Sequence, residues 1–283
     1  MSKPVAVVTD STATVPQALV EEYNMTVVPL QVIWGDQTFL DGVDITPETF
    51  YQRLRTADVL PTTSQPSAAA FAEVYQRLHE QGYDILAVLI SSKLSGTIAS
   101  AEQAKGLVPE ATVEIVDSLQ TAMALGFQAV AAARAAAQGA SLAEAKAVAE
   151  KARDLSGVLL LPETLEYLHR GGRIGGAARL FGTMLNIKPI LEVRAGRVEP
   201  ADKVRSRKKA RKRIVELALE RMGGRTPVRV AVLHADAEDE AQRIMDMLKA
   251  QVTPEEAYIT PVSPTVGVHV GPGTVGITYL AGM

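Results

Sequence analysis

Cysteine is absent from the 283 residues, which excludes disulfides and thiolate metal sites. Histidine is scarce: His79, His169, His234 and His269 stand too far apart for an H-E-x-x-H or similar ligand run, so no metal is expected. No positively charged, apolar leader follows Met1, and no apolar run is long enough to span a bilayer. The stretch Ala122–Ala137 comes nearest, but Gln128 and Arg134 interrupt it, as in a buried amphipathic helix. A cytoplasmic protein is the expectation.

What is present is ordinary globular composition, 47% hydrophobic and 22% charged. The length favours two domains, because a single core stops growing near this size. Net charge is −3, yet residues 1–155 carry 10 Lys and Arg against 18 Asp and Glu, whereas residues 156–283 carry 19 against 14. Halves of opposite sign present different outward faces, and the boundary is placed at 155.

Strand and helix signals alternate through the first half. Apolar runs at 5–9, 27–33, 85–90 and 113–116 alternate with helical patterns at 16–23, 47–55 and 68–81 and from about Thr97 and Thr121. Thr46-Pro47-Glu48 is a capped helix start. This predicts a parallel-sheet, Rossmann-like α/β/α domain. The second half reads as a smaller α+β domain with a smaller sheet. Its strands are at 157–161, 229–234, 257–261 and 276–279, with a hairpin about Ala195-Gly196. Its helices are at 163–170, 177–185, 208–222 and 238–250.

Strand ends of the first half are rich in hydroxyls: Thr9-Asp10-Ser11-Thr12, Thr62-Thr63-Ser64-Gln65-Pro66-Ser67, residues 91–97 and Asp117-Ser118. In a doubly wound sheet such loops converge on one edge. Unpaired N–H groups and hydroxyls at helix starts hold anions, although each of these residues also serves as a plain helix cap. Ser95-Gly96-Thr97 least resembles a plain cap, since its glycine admits close backbone approach. Gly271-Pro272-Gly273-Thr274-Val275-Gly276 is a literal G-x-G-x-x-G, but a β-like segment follows it instead of a helix, so a dinucleotide site is rejected. His269 precedes this rigid turn. Arg170 and Arg173 flank the Gly171-Gly172 helix stop. Residues 203–213 hold eight Lys or Arg in eleven positions, without interleaved aromatics or a recognised nucleic-acid module.

Taken in order, Val8-Thr9-Asp10-Ser11, Thr63-Ser64-Gln65-Pro66-Ser67, Leu94-Ser95-Gly96-Thr97, Arg170-Gly171-Gly172-Arg173-Ile174 and His269-Val270-Gly271-Pro272-Gly273 resemble the DegV family over nearly the whole chain. The resemblance implies a non-catalytic, two-domain carrier of one long-chain fatty acid such as palmitate or stearate, without a cofactor. In bacteria with a fatty acid kinase, such a carrier presents the carboxylate to a separate ATP-binding protein that makes acyl-phosphate. By the same resemblance Thr63 and Ser95 hydrogen-bond the carboxylate, Gly96 offers an N–H, and His269 approaches from the second domain. Arg205, joined by Arg173, docks the kinase. Ile98 departs from the family, which commonly has an aromatic there. A tail of this kind needs an apolar tunnel, expected between the domains near residues 122–133 and 179–191.

Two other readings stay open at this point. A serine hydrolase would use Ser95 as nucleophile, His269 as base and Asp10 or Asp117 as orienter, though without a G-x-S-x-G elbow. A DNA-binding regulator would use residues 203–213.

Overall fold

The computed structural model describes residues 3–183 and 187–283. Its first sheet has four parallel strands in the order β2-β1-β6-β7: β1 (Val5–Asp10), β2 (Thr26–Val28), β6 (Asp84–Leu89) and β7 (Val113–Asp117). Both faces are covered, which is why β1 reads as one apolar run. Ile85, Ala87 and Leu89 turn to α3 (Ala68–Glu80) and α4 (Thr97–Leu107), and Leu86 and Val88 turn to the opposite core. That opposite face is covered by α5 (Ala122–Ala137) and α6 (Leu142–Leu155).

The second sheet has six strands in the order β10-β9-β8-β13-β11-β12. These are β8 (Ser156–Leu161), β9 (Lys188–Arg194), β10 (Arg197–Val204), β11 (Val228–His234), β12 (Glu256–Pro261) and β13 (Val275–Ala281). Only β11 and β12 pair in parallel; the other pairs are antiparallel. The sheet is larger than the first, not smaller as expected, because the expected hairpin β9–β10 extends its edge while part of the run 27–33 leaves the first sheet for a separate one. Its outer face packs on α8 (Arg207–Met222) and α9 (Glu238–Lys249). The inner face contributes Val158, Leu160, Leu191, Val193 and Leu233 to the same core as α5. The fold is therefore five layers, with α5 between the two sheets. Helix α5 is apolar almost all round because it has no solvent face over most of its length.

A three-stranded antiparallel arm, β4-β3-β5, joins this stack: β3 (Gln31–Trp34), β4 (Gln37–Leu40) and β5 (Thr62–Ser64). It carries α2 (Pro47–Leu54), whose Phe50 meets Trp34 at 5.6 Å between ring centroids. The run 27–33 is thus two strands in two sheets, broken at Pro29. Helix α6 escaped the sequence reading, although its capping box, Ser141 with Glu144, is a start signal. The helix expected at 177–185 is a 3₁₀ segment, Gly175–Thr183, and residues 184–185 lie outside the described residues. Among the described residues no helix is long and apolar enough to cross a membrane.

Ile277, fully buried on the central strand β13, faces the α8–α9 core. Ile277→Ala should lower stability by about 2–5 kcal/mol. The urea midpoint is expected to fall with an unchanged slope.

Candidate functional site

The loop after β6 folds back on itself before α4 begins. The Ser91 carbonyl accepts from the Leu94 N–H at 2.9 Å and the Ser95 N–H at 3.1 Å, while Ser91 Oγ donates to the Gly196 carbonyl at 2.9 Å. Ser91 is thereby spent on anchoring, and Ser95 is carried to the rim. Ser95 Oγ lies 2.8 Å from Thr97 Oγ1 and accepts from the Thr97 N–H at 3.3 Å. Gly96 caps α4 with its N–H unpaired among the described residues, and the Gln65 side chain covers its Cα.

Across from this loop, Thr63 on β5 meets His269, with Oγ1 2.9 Å from Nε2. His269 sits on α10 (Pro264–Val270), a helix the sequence reading missed although Ser263-Pro264 is a cap followed by a first-turn proline. Burial, assisted by the Arg173 charge, pushes the His269 imidazole down to about 4. It is neutral at physiological pH, so it adds a hydrogen-bonding group and no charge. Near the start of α10 lies Asp41, buried and accepting from Ser11 Oγ at 2.8 Å through Oδ2. Burial pushes its carboxyl up to about 6, against the polar contacts of Thr265, Ser11 and Ser263. Helix α7 (Glu166–Arg170) packs on α10 from the other side.

Arg173 links the two halves of the rim. Its Nε donates to the Leu94 carbonyl at 3.1 Å and its NH1 to the Gly171 carbonyl at 2.8 Å. Thr63, Ser95, Arg173 and His269 then line one cavity of about 780 Å³, open mouth included. Away from these four the wall is mainly aliphatic: Ile90 just after β6, Val158, Leu160, Val193, Val198 and Leu233 from the second sheet, and Val266 and Val270 from α10. Thr63, Arg173 and His269 also line an outer recess with Tyr167 and Arg170, and so stand between the inner space and the surface.

Arg205 is exposed in the bend between β10 and α8, away from the cavity lining. Ile98 packs against the α3–α4 core and is not among the residues that line the cavity. The cavity touches α5 only at Ala122, and none of residues 179–191 lines it among those described; the cavity lies between the sheets and not beside those helices. The hydrolase triad is not assembled. Ser95 bonds Thr97, and both oxygens of Asp10 serve Thr12 and Ile90. Asp117 serves Ser92 and Leu119. Of the basic run, Arg207, Arg211, Lys212 and Arg213 form ion pairs with Glu163, Glu240, Glu216, Asp202 and Glu220, while Lys203, Arg205, Lys208 and Lys209 are exposed.

Comparison with known proteins gives one consistent result. The model of the DegV family, described as uncharacterised, matches residues 4–282. A DegV domain-containing protein of Streptomyces coelicolor is 41% identical over 279 residues, covering 98% of both chains. A DegV family protein of Thermus thermophilus, solved for its fatty acid binding, superposes with TM-score 0.93 at 36% identity, covering 98% of this chain and 99% of that one. DegV of Bacillus subtilis, a fatty acid binding protein, has TM-score 0.91 at 34% identity, covering 99% of this chain and all of the other.

His269 and Asp41 act oppositely on stability. The unfolded chain takes up a proton at His269 below pH about 6.5 while the folded one resists until about 4, so stability is lost as pH falls through that window. Folded Asp41 is protonated from about 6 while the unfolded carboxylate waits until about 3.8, so stability is gained over nearly the same range. Each effect is about 3 kcal/mol, and they nearly cancel. Asp41→Asn should therefore be more acid-labile between pH 6.5 and 4 than the parent, and His269→Asn less, in denaturation midpoints taken across that range.

Proposed function

Because the chain belongs to the DegV family, we propose that it binds one long-chain fatty acid in the cavity between the two sheets and presents the carboxylate at the rim. The observation that carries this reading is the convergence of Thr63, Ser95, Arg173 and His269, from four separate stretches of chain, on one aliphatic cavity. Solved relatives in the same fold bind fatty acids. In this reading Thr63, Ser95, the Gly96 N–H and His269 hold the carboxylate as neutral hydrogen-bonding groups. Arg173 supplies positive charge nearby. The tail provides most of the affinity: about 15 buried carbons contribute about 12 kcal/mol before the chain's ordering is subtracted.

The carrier performs no chemistry of its own and needs no cofactor or metal. It works in the cytoplasm as two domains meeting near residue 155, with the exposed Arg205, aided by Arg173, docking an ATP-dependent kinase that phosphorylates the carboxylate. The exposure of Arg205, and its absence from the residues lining the cavity, support a role toward a partner and not toward the lipid. The outer recess beyond Thr63 and His269 supports approach to the carboxylate from outside while the tail stays buried.

Mass spectrometry of the denatured, freshly purified protein should release one fatty acid per chain; none at stoichiometric level would sink the carrier reading. Ser95→Ala and Thr63→Ala should each weaken binding about tenfold, the worth of a hydrogen bond to a charged group. Arg205→Ala should keep its lipid and lose acyl-phosphate formation with a cognate kinase. Loss of lipid instead would contradict the docking role.

A further inference from the structure

Gly171 follows α7 with φ −74° and ψ −6°, a backbone that any residue adopts. Its neighbour Gly172, at φ +68°, has a conformational reason to be glycine; Gly171 has none. The reason is spatial. A Cβ on Gly171 would overlap His269 Nδ1 and lie 2.9 Å from Cε1. Neither side can retreat. The Gly171 N–H donates to the Tyr167 carbonyl at 2.9 Å, and its carbonyl accepts from Arg173, which is itself tied to Leu94. The imidazole is held by Thr63 at Nε2, and α10 is seated by the reciprocal contact in which the Tyr167 ring occupies the space a Cβ on Gly271 would need.

We infer that Gly171 is a positioning residue: its bare Cα seats the His269 imidazole and so aims Nε2 at Thr63 and the bound carboxylate. The seat also selects the tautomer. Nδ1 faces Gly171 with no hydrogen-bond partner. A buried N–H without an acceptor is rarer than an unused lone pair, so the proton resides on Nε2 and is donated to Thr63 Oγ1. The Thr63 hydroxyl proton is then free to be donated onward to a carboxylate oxygen. A methyl group at 171 displaces the ring and breaks this relay at its first step. The inference rests on the carrier reading for its last donor, but not for the geometry of the seat.

The test uses the full chain, stripped of lipid and labelled with ¹⁵N at histidine. In the parent, His269 should show the Nε2–H tautomer and stay neutral well below pH 6. Gly171→Ala should lose that signature, titrate nearer the ordinary histidine range and bind palmitate about tenfold more weakly. In Gly171→Ala/His269→Ala the overlap with the imidazole is gone and only the 3.1 Å approach to the Tyr167 carbonyl is left, so its palmitate affinity should match His269→Ala alone within about twofold. A parent-like spectrum and affinity in Gly171→Ala would overturn the inference, as would an equal loss in the His269→Ala background. Should Gly171→Ala fail to fold, a folded double variant supports the seat and an unfolded one overturns it. Should the parent not bind palmitate at all, the carrier reading fails, while the ligand-free spectra still decide the role of Gly171.

Discussion

The hydrogen bond between Thr63 and His269 joins residues 206 positions apart and closes the rim of the cavity. Thr63 belongs to the three-stranded arm and His269 to α10, an element that precedes the last strand of the six-stranded sheet. Almost everything near the rim serves to keep these two groups in register. Gly171 and Tyr167 seat α10 from one side, Phe50 and Tyr51 crowd Gly267 from the other, and Arg173 ties the α7 stop to the Ser95 loop. The bond is neutral at both ends. A buried cation beside an empty apolar cavity would carry a large desolvation cost, whereas hydroxyl and imidazole groups do not.

How far this was legible in the sequence depends on whether the determining contacts are local. The run at 85–90 announced β6, and the serines and glycine after it announced a loop able to meet an anion. Residues 27–33 looked like one strand, because a period-2 pattern does not reveal that Pro29 sends its two ends into different sheets. Helix α10 hid for another reason: its seven residues are too few for a periodic stripe, and its face is set by Gly267 and His269 fitting neighbours far away in sequence. The neutrality of His269 follows from enclosure, which spacing cannot convey. Gly171 was indistinguishable from an ordinary helix stop until the imidazole lying against it was seen.

The basic segment shows the opposite case, in which composition suggested more than the fold allows. Eight cations in eleven residues suggest a patch, yet Arg207 reaches Glu240 and the Gly273 carbonyl, and Arg213 is shared by Asp202, Glu216 and Glu220. Exposed pairs of this kind add little stability each. Here they link α8 to β10, to α9 and to the turn before β13. The outward field of the segment is left to Lys203, Arg205, Lys208 and Lys209, all exposed.

Strand β13 comes after every other strand in the chain and lies between β8 and β11, at the middle of its sheet. During synthesis the chain emerges from its amino end, so the four-stranded sheet can consolidate while the six-stranded one still has a gap at its centre. Until that gap is filled, Leu160 and Leu233 have no strand between them. The wall that carries Leu160 on β8 and Leu233 on β11 is therefore one surface only once β13 is paired to both.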